Sequence, residues 1–186
     1  MEGIEHQLNR REMFSREDIE RIANIIDSNS VRKIFVVGAM GAGKSTFAAQ
    51  LSEKTKIPHI ELDTFGSILE KETGTRPKDI VSTVWGALAK YGDDYIVDHA
   101  ELLGKDLEGL AQLIVLLNPA HEELVRSFEL RKQQESKGDW SRFGPEALRE
   151  FANDVANDFS SIPGEIVYEN TQTGVTAKIV KKETKE

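Results

Sequence analysis

Short unbroken apolar runs alternate along the chain with longer stretches in which apolar residues recur every three or four positions. That alternation predicts strands interleaved with amphipathic helices. Ser15 and Asp18 have the spacing of a capping box, and Ile19, Ile22, Ile25 and Ile26 follow at helical intervals until the polar residues 27–30 end the segment. Ile34 to Val37 reads as a buried strand, and Phe47 and Leu51 share one face of a helix over 46–53. Ile60 and Leu62 make a second, short strand, and Ile96 and Val97 are the buried centre of a third over 94–99. Residues 113–117 are apolar throughout, as expected of a parallel strand covered on both faces, and Asn118-Pro119 stops them. Leu124, Val125 and Phe128 mark a helix, as do Leu148, Phe151, Val155 and Phe159. Residues 165–170 read as the last strand, and Val175, Ile179 and Val180 as a small closing helix or strand. The sum is an α/β domain with helices on both faces of a parallel sheet.

At residues 38–46 a strand breaks into glycines and a helix begins. Gly38, Gly43, Lys44 and Ser45 satisfy GxxxxGK[ST], and the nine residues Gly38, Ala39, Met40, Gly41, Ala42, Gly43, Lys44, Ser45 and Thr46 form a candidate nucleotide-binding loop. Glycines without a Cβ let the backbone turn its N–H groups inward around a polyphosphate, and the following helix adds the positive end of its dipole. Lys44 would bridge the β- and γ-phosphates, and the Ser45 hydroxyl would be a ligand of Mg²⁺. A plain glycine turn is the alternative. The flanking strand and helix favour ATP with Mg²⁺.

Composition narrows the class. With 186 residues and 39% hydrophobic content, the chain suits one domain with a substantial core and a short appendage. A net charge of −8 provides no overall basic field, which disfavours nucleic acid as a partner and leaves room only for a local basic groove. The absence of cysteine removes disulfides, thiolate zinc sites and cysteine nucleophiles. No stretch approaches a membrane span and the first residues lack a basic and apolar leader, so a cytoplasmic enzyme that engages no membrane is expected.

The loop, its helix and the stretch Ile-Pro-His-Ile-Glu-Leu-Asp over 57–63 together resemble the first half of the small P-loop kinases related to adenylate, shikimate and gluconate kinases. The resemblance covers about a third of the chain. It implies a three-layer α/β/α P-loop NTPase fold with a five-stranded parallel sheet in the order 2-3-1-4-5 and a short lid. It also implies that Asp63, at the end of the second strand, faces the phosphoryl acceptor, where a carboxylate can orient a hydroxyl, take its proton late or hold a metal-bound water. Glu61 lies two residues earlier on the same face; a helix cap is the other reading of Asp63.

By the same resemblance Asp98 closes the third strand and supports the metal through water. His99, beside it, is either a structural residue or part of the substrate site. Residues 64–92 correspond to the acceptor-binding segment, whose Arg76 would hold an anionic group or sit in a solvated turn. Trp85 reads as core. Arg126 and Arg131 fall where the family's helix delivers cations, and residues 131–144, with Arg142 and the hinge glycines Gly138 and Gly144, correspond to the lid. A solvated helix end is the simpler meaning of that charge run. The loop after Asn170 falls where related kinases contact adenine with backbone groups. Shikimate kinases are expected to carry a glycine triplet where this chain has Asp98-His99-Ala100, and adenylate kinases an arginine where it has Gly66, so the resemblance names no particular acceptor.

The resulting division is an N-terminal extension over 1–30 with one amphipathic helix, a kinase domain over 31–180 and a flexible tail over 181–186. The expected activity is transfer of the γ-phosphoryl group of ATP to a small-molecule hydroxyl on a nucleoside, nucleotide or related metabolite. Lys44, Asp63, Arg126, Arg131 and Arg142 would be the catalytic set. Three rivals are a kinase acting on a hydroxyl of DNA or RNA, a GTP-dependent switch, and a nonenzymatic nucleotide-binding module. The DxxG at 63–66 follows Lys44 too closely for a switch and no NKxD is present.

Overall fold

The computed structural model describes residues 13–62, 70–71, 74, 92–100, 110–134 and 144–180. In chain order the elements are α1 (Arg16–Ser28), β1 (Lys33–Gly38), α2 (Lys44–Thr55), β2 (His59–Glu61), β3 (Tyr95–His99), β4 (Leu113–Leu117), α3 (His121–Gln134), α4 (Pro145–Ser161), β5 (Gly164–Asn170) and β6 (Val175–Val180). They build one six-stranded sheet in the order β2-β3-β1-β4-β6-β5. The first four strands in that order pair in parallel. β6 is antiparallel to β4, and β5 is antiparallel to β6.

The sheet therefore differs from the five-stranded parallel expectation, and turn length is the reason. Only residues 171–174 separate β5 from β6, too few for the crossover that a parallel pair requires. The chain must reverse. Gly174 makes this possible with φ +73°, and its carbonyl accepts from the Asn118 N–H at 3.0 Å, where a side chain would collide with the Asn118 carbonyl. Composition explains why β6 and not β5 lies beside β4. Val175 and Ala177 are fully buried, whereas β5 exposes Glu165, Ile166 and Glu169 and suits an edge. The closing segment left open as helix or strand is thus an interior strand, and the lid over 131–144 lies for its greater part outside the described residues.

Alternation along the strands feeds two cores. Ile34 and Val36 of β1 join Ile96, Leu113 and Val115 on one face, against Ile22 and Ile26 of α1 and Phe47 and Leu51 of α2. Phe35 and Val37 join Val97, Ile114 and Leu116 on the other, against Val155 and Phe159 of α4. Helix α1 packs on α2 and reaches β5. Just before it, Phe14 meets the Phe47 ring edge-on with centroids 5.0 Å apart.

Two buried charges fasten the edges. Asp18 has no exposed surface; its Oδ2 accepts from the Ser15 N–H at 2.6 Å, completing the capping box, and its Oδ1 accepts from the Tyr168 hydroxyl at 2.7 Å and Asn170 Nδ2 at 2.8 Å. Burial by itself would raise the Asp18 pKa, but the donors from Ser15, Tyr168 and Asn170 outweigh it and hold the carboxyl below its ordinary 3.8. Burial and the neighbouring Asp18 push the Tyr168 phenol up to about 12, so it remains a donor. On the opposite face Lys178 Nζ donates to the carbonyls of Phe159 at 2.6 Å and Ile162 at 3.0 Å, and its ammonium lies 4.5 Å from the centre of the Phe159 ring. It thereby adds a donor to carbonyls at the C-terminal end of α4, where the helix dipole favours a cation.

Asp18→Asn should destabilise the protein by about 2 kcal/mol at pH 7, the range for a buried hydrogen bond to a charged group. Because the folded pKa of Asp18 lies below 3.8, its contribution is complete above that value and is lost as pH falls through the folded pKa. Urea titrations at pH 7 and in the acid range should therefore show the gap between wild type and variant closing as pH drops.

Candidate nucleotide site

β1 delivers the loop. Its run is buried to Gly38, where the backbone passes so close to β4 that an added Cβ would stand 2.5 Å from the Leu117 carbonyl oxygen. Gly41 and Gly43 both hold φ near +82°, the left-handed region that favours glycine. Gly43 is also the N-cap of α2 and supplies no side chain to close its first turn, so the N–H groups there face outward with the positive end of the helix dipole. Lys44 Nζ donates to the Ala39 carbonyl at 2.9 Å, folding back across the loop. Phe14 lies against Gly43 from below, and α3 passes behind Gly41, with the backbone of Leu124 and Phe128 in near contact.

At the mouth of this loop the Ser45 hydroxyl donates to Asp98 Oδ2 at 2.7 Å. Asp98 is 5% exposed, and its other oxygen is 2.6 Å from His59 Nε2. Burial pushes the Asp98 carboxyl up, but the hydrogen bonds from His59 and Ser45 and the charges of His59 and Lys44 together hold it below its ordinary range. It is therefore ionised at neutral pH. The loop amides, the lysine and this carboxylate are drawn to one place by β1, α2 and β3.

The other sequence-derived candidates distribute differently. His99 pairs in register with Val37 and, one position beyond Asp98, points toward the opposite face of the sheet from the Ser45–Asp98 contact. Arg126 and Arg131 occupy exposed positions on α3, whose buried residues Leu124 and Phe128 lie beside the loop. Asn170 stands at the far end of the sheet, its Nδ2 engaged by Asp18 and its Oδ1 accepting from the Gln172 N–H at 3.1 Å. With β6 interposed, it is one strand further from β4 than a 2-3-1-4-5 order implies. Asp63, Arg76 and Arg142 lie outside the described residues. His59 was missed in the sequence, although period-2 alternation from Glu61 puts it on the same face as that acid. Its diagonal reach to Asp98 depends on strand pairing.

The family model described as "Shikimate kinase" matches residues 40–86, from within the loop to Gly86. The shikimate kinase of Enterococcus faecalis (strain ATCC 700802 / V583) is 28% identical over 104 residues, which span 53% of this chain and 56% of that protein. Both matches are to the shikimate kinases, which are small P-loop kinases. The match thus covers little more than half the length of this curated relative. Among solved structures, the chain is similar to the shikimate kinase from Acinetobacter baumannii in complex with shikimate, at 14% identity and TM-score 0.49, covering 74% of this chain and 82% of the other. It is also similar to a chain of the Pnkp1/Rnl/Hen1 RNA repair complex, at 17% identity and TM-score 0.49 over 83% of this chain and 50% of the other. A gluconokinase from Sinorhizobium meliloti 1021 aligns at 19% identity and TM-score 0.37, over 70% and 97% of the two chains.

The close approach at Gly38 has a direct consequence. Gly38→Ala must displace the Leu117 carbonyl or the loop, at a cost of about 1–3 kcal/mol for overpacking. Equilibrium unfolding should report that loss, and a neutral result would mean that β4 yields freely at its end.

Proposed function

We propose that the chain is an ATP-dependent phosphotransferase that moves the γ-phosphoryl group to a hydroxyl of a small metabolite, acting in the cytoplasm. The observation that carries the reading is the Ser45–Asp98 contact at the mouth of the loop, because it brings a neutral and an anionic oxygen donor together beside a phosphate cradle. Those donors suit Mg²⁺. That ion takes oxygen ligands, keeps several waters and is usually held by one or two carboxylates with the substrate phosphates, not by a cage of side chains. Among the described residues no group of three or more His, Asp or Glu is assembled as such a cage. Mg²⁺ would supply charge neutralisation to the β- and γ-phosphoryl oxygens.

In this reading the loop amides bind the polyphosphate, Lys44 leaves Ala39 to reach the β- and γ-phosphates, and Ser45 with Asp98 holds the metal ion and its water. Asp63 orients the acceptor hydroxyl and accepts its proton, and can share in holding a metal-bound water. Arg76 and His99 belong to the acceptor side, and Arg126, Arg131 and Arg142 neutralise charge that spreads over the phosphoryl oxygens. Asn170 and the turn after it border the base. Residues 31–180 form the catalytic domain, with 64–92 as the acceptor segment and 131–144 as the lid, while 1–30 and 181–186 flank it. The net charge of −8 favours a small acceptor over a polynucleotide. Shikimate is the first acceptor to try, because the family model and the curated relative similar to this chain bear its name.

The test is phosphoryl transfer from ATP and Mg²⁺ across a panel of shikimate, gluconate, other hydroxy acids, sugars, nucleosides and nucleotides, with an oligonucleotide as the contrasting acceptor. One small hydroxyl compound should stand out, and Lys44→Ala and Asp63→Asn should each lower its rate by about a hundredfold or more. Transfer to the oligonucleotide alone would overturn the acceptor class. Bound ATP that stays intact with every acceptor would overturn the activity.

A further inference from the structure

His59 lies outside the glycine loop, and the stretch over 57–63 that contains it gives it no role, yet it makes one of the shortest polar contacts at the site. In the β2–β3 register His59 stands opposite Ile96 and Glu61 opposite Asp98. The imidazole is therefore two register positions behind the Asp98 carboxylate, on the same face of the sheet, and reaches it diagonally. Nε2 lies 2.6 Å from Oδ1 while Ser45 occupies Oδ2. An ionised carboxylate only accepts, so Nε2 carries the hydrogen in this contact.

The consequence is orientational. A carboxylate turns easily about its terminal bond, since that torsion has broad minima. Here one oxygen is tied to β2 and the other to α2, so rotation breaks one hydrogen bond or the other. The two side chains are 17% and 4% exposed, which leaves little water to replace a lost partner. The arrangement parallels the outer partners that orient metal-supporting carboxylates in general.

We propose that His59 is a positioning residue for metal-nucleotide binding: by tethering Oδ1 it keeps Asp98 turned so that Oδ2 and the Ser45 hydroxyl serve the metal ion of a bound Mg·nucleotide. This rests on the nucleotide-binding reading above and adds a residue that touches neither nucleotide nor metal. A purely structural His59 would only balance a buried charge between two strands. The two roles separate experimentally, because positioning affects the metal and leaves metal-free nucleotide binding alone.

The experiment uses the full chain with ADP and Mn²⁺ as probes. Mn²⁺ affinity in the presence of ADP is read from the electron paramagnetic resonance of free Mn²⁺, and ADP affinity in EDTA by calorimetry. Wild type is compared with Ser45→Ala, His59→Leu and His59→Gln, each checked for folding by its melting curve. His59→Leu should weaken Mn²⁺ binding by about tenfold or more, the range for losing an outer partner, and leave ADP affinity in EDTA within about twofold. His59→Gln, which keeps an N–H donor of similar reach, should recover most of the Mn²⁺ affinity. Should the leucine variant fail to fold, His59→Asn, whose amide is too short to span the gap, takes its place with the same expectation. The proposal falls if the broken variant binds Mn²⁺·ADP like wild type, if it loses ADP in EDTA by the same factor, or if a folded His59→Gln restores nothing. Wild type that binds no Mn²⁺·ADP would sink the nucleotide reading as well. Loss in Ser45→Ala with no change at His59 would sink only the role of His59.

Discussion

A carboxylate removed from water must be met by donors, and this constraint governs both ends of the molecule. Asp98 and Asp18 are its two buried acids among the described residues, and each gathers donors from separate parts of the chain. Asp98 joins Ser45 of α2 and His59 of β2 around the end of β3. Asp18 joins Ser15 at the start of α1 to Tyr168 and Asn170 of β5. The first contact shapes the candidate site. The second closes the sheet's far edge against α1, and since the chain just before α1 supports the glycine loop through Phe14, the two ends are mechanically continuous.

The sheet itself is ordered by how much apolar surface each strand can bury. β1, β3 and β4 carry residues that fill cores on both faces, and they occupy interior positions. β5 carries glutamates and one strongly exposed isoleucine, and it lies at the edge. β6 can stand between β4 and β5 because Val175 and Ala177 are small enough to pack beside β4 while Lys178 directs its charge to the end of α4. Such a buried ammonium is tolerated because the carbonyls of Phe159 and Ile162 at the end of α4 receive its hydrogens.

Much of the fold was legible in the residues. The strands at 33–38, 95–99 and 113–117 and the helices at 16–28, 44–55 and 145–161 follow from apolar periodicity and from capping signals, since these are local properties. Sheet order was less legible: it depends on a four-residue turn and on relative burial, and a resemblance to parallel folds pointed to a different arrangement. At the site, the loop glycines, Lys44 and Ser45 could be named from motif spacing, and Asp98 from the family resemblance. His59 could not, because its partner lies 39 positions away and only strand register brings them together. Asn170 is similar, for the engagement of its side chain by Asp18, 152 positions away, has no local signal.

By itself, then, the sequence determined a glycine loop between a buried strand and a helix, together with an alternating α/β layout. Both are written in the conformational freedom of Gly41 and Gly43 and in the repeat of apolar positions. Only the tertiary structure decided which side chains share a charge. Whether Asp98 meets His59, whether Asp18 meets Tyr168, and which strand lies beside β4 are all outcomes of pairing between distant segments. Local sequence carries no record of that pairing, because desolvation and hydrogen-bond partnership exist only once the strands have come together.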